Sequence, residues 1–145
     1  MSFCKTATPF AWMILAVGIA VATMPRAADE EIDTVPATNA ARTWLAVVDA
    51  GHYADSWEMA SEVFRAGVTR PQWEMMAAPV RSKVGNLVQR KVSSVKYMHD
   101  LPGAPAGEYV VIQYNTRFEN GAFTETVTPM KQADGSWKVS GYYIK

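Results

Sequence analysis

The spacing of apolar residues changes once along this chain, at Gly85-Asn86, and that change constrains the fold more than any other feature. Before it, apolar residues recur every three or four positions, the period of a helix with one buried face. After it they alternate, the period of a strand covered on one side. Ala41, Trp44, Leu45 and Val48 share a helical face, with Thr38 and Asn39 as capping residues and Gly51 as a left-handed stop. A first helix is therefore expected over about 39–50. A short second helix is expected over about 53–61, with Tyr53 and Trp57 one turn apart, and then a loop around Gly67. Thr69-Arg70-Pro71-Gln72 has the form of a capping box. From it Trp73, Met76, Ala77, Val80 and Val84 define a third, amphipathic helix. Pro79 lies inside that helix and leaves the carbonyl of Met75 without its donor, which predicts a kink rather than a break.

In the alternating half, Val88 and Val92 share one parity while Val95 and Tyr97 have the other. The shift across Ser93-Ser94 predicts a β-bulge, which bends a strand and lets a sheet curl. A second strand over Glu108 to Phe118 puts Val110, Ile112, Tyr114, Thr116 and Phe118 on one face. Asn120-Gly121 signals a hairpin, and a two-residue turn there pairs Phe118 with Phe123, Thr116 with Glu125, and Tyr114 with Val127. Asp134-Gly135 closes a further hairpin into Trp137 to Ile144, with two registers open that give opposite faces to Trp137 and Tyr142. The expected architecture is α+β: three N-terminal helices packed on a curled four-stranded antiparallel sheet.

The first residues read as a targeting segment. Lys5 precedes Phe10 to Ala22, an uncharged run of mostly apolar residues. The run is short of the ~20 residues of a membrane-spanning helix and matches the apolar part of a secretory signal peptide. Ala20-Val21-Ala22 offers the small residues that a signal peptidase reads, so residues 1–22 are the expected signal peptide, with 28 as a later end. Residues 23–37, acidic at Asp29 to Asp33, read as a flexible linker, and 38–145 as one domain. Cleavage leaves no stable membrane span and places the protein in the periplasm or outside the cell. It also removes Cys4, the one cysteine, which stands before the apolar run where a lipoprotein cysteine would follow it. The remaining domain has 12 bases against 10 acids. That balance lacks the surplus a nucleic-acid binder needs.

Several ordered blocks carry a resemblance. Trp44-Leu45, Val48-Asp49, Gly51, Tyr53, Ser56-Trp57, Ala60-Ser61 and Phe64 form the first. Trp73, Arg81, Val84-Gly85 and Leu101-Pro102-Gly103 form the second. Gly107 to Val111, Phe118, Glu125-Thr126 and Asp134 to Tyr142 complete the set. From about Ala40 to its C-terminus the chain resembles an exported bacterial family known only as domain of unknown function 4019. The resemblance implies a cone-shaped fold like that of nuclear transport factor two and the ketosteroid isomerases. It implies no activity, and this fold hosts enzymes, carriers and dimerising scaffolds alike.

Glu125 is the most informative polar residue. It falls on the apolar sheet face with Tyr114, Phe118, Phe123 and Val127, where a desolvated carboxyl suits proton transfer. Thr116, Tyr114 and His99 are its candidate partners, and Tyr114, Phe118 and Glu125 the candidate ligand-binding set. The alternative is a hydrated or arginine-paired Glu125 near the sheet edge. His52 stands among Asp49, Asp55 and Glu58, but no second histidine follows at helical spacing, so no metal is assigned. No nucleophile elbow, phosphate loop or dinucleotide fingerprint occurs, and no cofactor is expected. Arg81, Lys83, Arg90, Lys91 and Lys96 form a basic segment, read as a solvated face, as the partner of the acidic helices, or as a contact for an anionic envelope component.

A complete set of fold-building residues without an assembled catalytic set favours a non-enzymatic periplasmic module that binds a small apolar ligand or an envelope protein. The rivals are a small lyase or isomerase using Glu125 as base, with Tyr114 or His99 orienting the substrate, and a homodimer formed through the open sheet face.

Overall fold

A computed structural model describes residues 32–145; the expected signal peptide and most of the expected linker lie outside the described residues. Four helices precede four strands: α1 Val35–Asp49, α2 Tyr53–Met59, α3 Glu62–Gly67 and α4 Arg70–Val84, then β1 Leu87–His99, β2 Glu108–Phe118, β3 Gly121–Lys131 and β4 Trp137–Ile144. The strands form one open antiparallel sheet in the order β1-β2-β3-β4. The α+β class stands, and the helix count is corrected from three to four. The expected loop around Gly67 is the added helix, begun by Ser61, whose side chain accepts from the Phe64 amide at 3.2 Å. A polar cap before a six-residue segment is a weak signal in sequence, because no full helical repeat follows it.

α1 starts at Val35, ahead of its expected caps, because Pro36 sits in the first turn where its missing N–H costs nothing. Gly51 follows α1 at φ 78, the left-handed stop expected of it. Thr69 and Gln72 complete the capping box of α4, which continues unbroken through Pro79. One cluster joins the layers: the rings of Trp44, Phe64, Trp73 and Tyr142 meet edge to face with centroids 5.2 to 6.2 Å apart. The indole N–H groups find acceptors, Trp44 on the Ser56 carbonyl at 2.7 Å and Trp73 on the Ser56 hydroxyl at 2.9 Å. These tryptophans are core.

The bulge between Val92 and Ser94 is present, with a second irregularity between Leu87 and Gln89. The β2–β3 register differs from expectation by two residues. Phe118 pairs with Gly121, Thr116 with Phe123 and Tyr114 with Glu125. The turn is therefore Glu119-Asn120, and neither residue adopts a positive φ. Asn120 is committed elsewhere: its amide donates to the Val84 carbonyl at 3.0 Å and its Nδ2 to the Lys83 carbonyl at 3.0 Å. It thus satisfies carbonyls at the C-terminus of α4 that have no partner within the helix. Gly85 permits this approach, since a Cβ there would stand 3.0 Å from Glu119. A shift of two preserves parity, so every inward residue of β3 stays inward.

The open register of the last hairpin resolves to Lys131 opposite Trp137 and Val127 opposite Tyr142. The irregularity beside Pro129 brings Trp137, Val139 and Tyr142 to the same face, although their numbers differ in parity.

Candidate functional site

α4 was expected to bury Trp73, Met76, Ala77, Val80 and Val84. The buried stripe is instead Trp73, Ala77, Arg81 and Val84, while Met76 and Val80 are exposed. An arginine therefore occupies the covered face of the helix. Its guanidinium lies over the Phe118 ring, 4.6 Å from the centroid. Its Nη2 donates to Asp49 Oδ1, on α1, at 2.6 Å.

Arg90, on β1, joins two carboxylates. Nη1 and Nη2 donate to Asp49 at 2.7 and 2.9 Å, and Nε and Nη2 donate to Glu125 at 2.6 and 3.0 Å. Burial alone would lower the pKa of Arg90, but its hydrogen bonds to Asp49 and Glu125 outweigh that and raise it. Glu125 itself is fully buried. Thr116 Oγ1 donates to its Oε2 at 2.5 Å and the Tyr142 hydroxyl to its Oε1 at 2.7 Å. Desolvation, then the neighbouring Glu125 charge, push the Tyr142 hydroxyl above its ordinary range.

Two arginines and two carboxylates thus form a neutral buried set spanning α1, α4, β1 and β3, with hydroxyls from β2 and β4. A carboxylate offers about four lone-pair directions, and on Glu125 Arg90, Thr116 and Tyr142 use them all. With its acceptor positions taken by these donors, it has no free position for a substrate proton.

Of the other candidates, Tyr114 and Phe118 adjoin this set, whereas His99 does not. Tyr114 stands opposite Glu125 in the ladder, buried, its hydroxyl without a partner among the described residues and its pKa raised by desolvation. Phe118 is buried beneath Arg81. His99 is 72% exposed at the far end of β1, where Nδ1 lies 2.9 Å from Asp100. The length of strand from Arg90 to His99, roughly 30 Å, separates the two, so His99 is not a partner of Glu125. His52 is likewise exposed, 3.8 Å from Asp55. Among the described residues no group of three His, Cys, Asp or Glu is placed to hold a metal ion, and no helix is long and apolar enough to cross a membrane.

The basic segment divides. Lys83, Lys91 and Lys96 are exposed, whereas Arg81 and Arg90 turn inward to Asp49. Of the readings offered for the basic segment, pairing with the acidic helices holds for these two arginines, and the arginine-paired alternative holds for Glu125; which acid of the helices they meet, Asp49, was not specified. The signals were there: Arg81 continues the stripe of Trp73 and Ala77 at intervals of four, and Arg90 shares the parity of Val88 and Val92.

The exposed side chains of α4 have their own setting. A cleft of about 190 Å³ opens between α4 and β4, with Trp73, Met76, Val80, Tyr142 and Ile144 in its walls and Arg81 among its lining.

A family model described as a protein of unknown function, DUF4019, matches residues 40–142. The match spans Asp49, Arg81, Arg90, Thr116, Glu125 and Tyr142. No curated protein gives a match to the chain.

Proposed function

The chain belongs to the DUF4019 family, and we propose that it is an exported, periplasmic binding module without catalytic machinery. One observation carries the non-catalytic part: the Glu125 carboxylate, the best acid–base candidate in the chain, already accepts from Arg90, Thr116 and Tyr142. A general base must reach the proton it removes, and this one is enclosed by its own donors. The network fixes α1 and α4 against the sheet. Export rests on the basic start and apolar run of the first 22 residues, which end in Ala-Val-Ala.

Expression of the full chain in a bacterium, followed by fractionation and sequencing of the mature N-terminus, tests export. The expected product is periplasmic and begins at Thr23 or a few residues later. Full-length protein in the cytosol would overturn this part. The Glu125→Gln variant tests the rest: the expected loss is of stability. A variant as stable as the parent that no longer turns over a small substrate would restore the lyase or isomerase reading.

A second reading, association of two copies along β1, is favoured by one observation. Leu87, Val88, Val92 and Val95 are each between 38% and 50% exposed on this edge strand. A monomer by light scattering at high concentration would remove it.

A further inference from the structure

We propose that the cleft between α4 and β4 binds a small, uncharged molecule made of an apolar body and one hydrogen-bond-accepting oxygen, and that this oxygen pairs with Arg81. The inference rests on the binding-module reading and names its ligand class. Three observations carry it.

The first is an unsatisfied donor. Arg81 is 7% exposed, and its Nη1 has no hydrogen-bond partner among the described residues. Glu125 Oε1 is 3.6 Å away, beyond hydrogen-bond distance, and the Tyr142 hydroxyl also lies beside the guanidinium. A buried donor on a charged group is costly to leave unpaired, and native structures rarely do so without a reason. Arg81 lies in the lining of the cleft, next to Tyr142.

The second is the character of the walls. Trp73, Met76, Val80 and Ile144 present apolar surface there, and Met76 and Val80 are 62% and 40% exposed on the helix. Methionine is a flexible, polarizable lining that adapts to a guest. Apolar walls with one convergent polar group are the usual make-up of a small-molecule site. A volume of about 190 Å³ admits a molecule the size of a substituted benzene ring.

The third is charge. Arg81 and Arg90 are already balanced by Asp49 and Glu125. An anionic head on Nη1 would lie close to the Glu125 carboxylate and be repelled by it, whereas a carbonyl oxygen would not. The site therefore selects a neutral acceptor.

The experiment uses three probes of matched shape: acetophenone, α-methylstyrene (which replaces the carbonyl oxygen by CH₂) and benzoate. Each is titrated into the protein while the indole N–H resonance of Trp73 is followed by NMR. Acetophenone is expected to shift it saturably and to bind roughly tenfold or more tightly than either of the others, the difference one hydrogen bond to a charged donor makes. The Val80→Trp variant, changed at an exposed position, fills the cleft and is expected to abolish the shift with the fold intact by circular dichroism. Equal binding of acetophenone and α-methylstyrene, tighter binding of benzoate, no saturable shift, or a shift that survives Val80→Trp would each overturn the proposal. A null titration with protein recovered from the periplasm removes the cleft and leaves the export reading standing. Selective acetophenone binding by a cytosolic protein does the reverse.

Discussion

Arg90 and Glu125 meet across the sheet with Nε 2.6 Å from Oε2 and Nη2 3.0 Å from Oε1, and the same guanidinium holds Asp49 of α1. Breaking a buried pair leaves an uncompensated charge in the interior, which typically costs about 3–5 kcal/mol. Arg90→Met is expected to lose that much in urea denaturation. Combining it with Glu125→Leu is expected to cost clearly less than the sum of the two single changes, because no lone charge then remains on that side. Additive losses would mean that the pair is not coupled.

Tyr142→Phe removes one donor to Glu125 and is expected to cost about 1.5–3 kcal/mol at neutral pH, the range for a hydrogen bond to a charged group. Its alkaline behaviour should also change. The folded protein holds the Tyr142 pKa above its unfolded value, so this contribution is complete below about pH 10 and is lost as pH rises toward the folded pKa. Stability measured across the alkaline range should fall less steeply in the variant, and parallel curves would contradict the assignment.

Glu119 accepts the Asn86 amide at 2.9 Å, tying the β2–β3 turn to the end of α4. The backbone hydrogen bond from Asn86 lowers the pKa of this exposed carboxyl. A depressed carboxyl contributes above its unfolded value, about 4.3, and the contribution disappears as pH falls through the folded one. The Asn86 amide resonance should titrate with a midpoint below about 4.3, and Glu119→Gln should abolish the inflection. A midpoint at or above the ordinary value would refute it.

Thr69→Ala takes the cap from α4, where Thr69 Oγ1 accepts from the Gln72 amide and Gln72 Oε1 from the Thr69 amide. The expected loss is about 1 kcal/mol, with faster hydrogen exchange confined to the first turn. Faster exchange around Arg81 as well would show that the whole helix depends on its cap.

What the chain discloses in advance divides along physical lines. The switch of period, the capping box and the Ser93-Ser94 bulge are local patterns, and each is found in place. The inward face of Glu125 survives a wrong hairpin register because slips of two conserve parity. The slip itself was illegible, since Asn120 is drawn to Lys83 and Val84, a contact between distant parts of the chain. Arg81 and Arg90 were legible as members of a basic run that is either solvated or paired with the acidic helices, but sequence shows their charge and not that Asp49 on α1 is the acid they share. The cleft was equally hidden: Met76 and Val80 fit a helical apolar face, and only the packing shows that face turning past the core.

One backbone contact outside the ladders bears on how copies of this chain could associate. The Ser61 amide donates to the Val139 carbonyl at 2.9 Å, so the link between α2 and α3 lies against β4, the last strand of the sheet. At the opposite margin β1 has no strand beyond it in this sheet. A strand added along β4 would have to displace this contact, whereas one added along β1 would not. Two chains joined β1 to β1 about a two-fold axis would form one continuous sheet with a β4 at each margin. Further growth would have to break the Ser61–Val139 hydrogen bond at either end, which disfavours a ribbon.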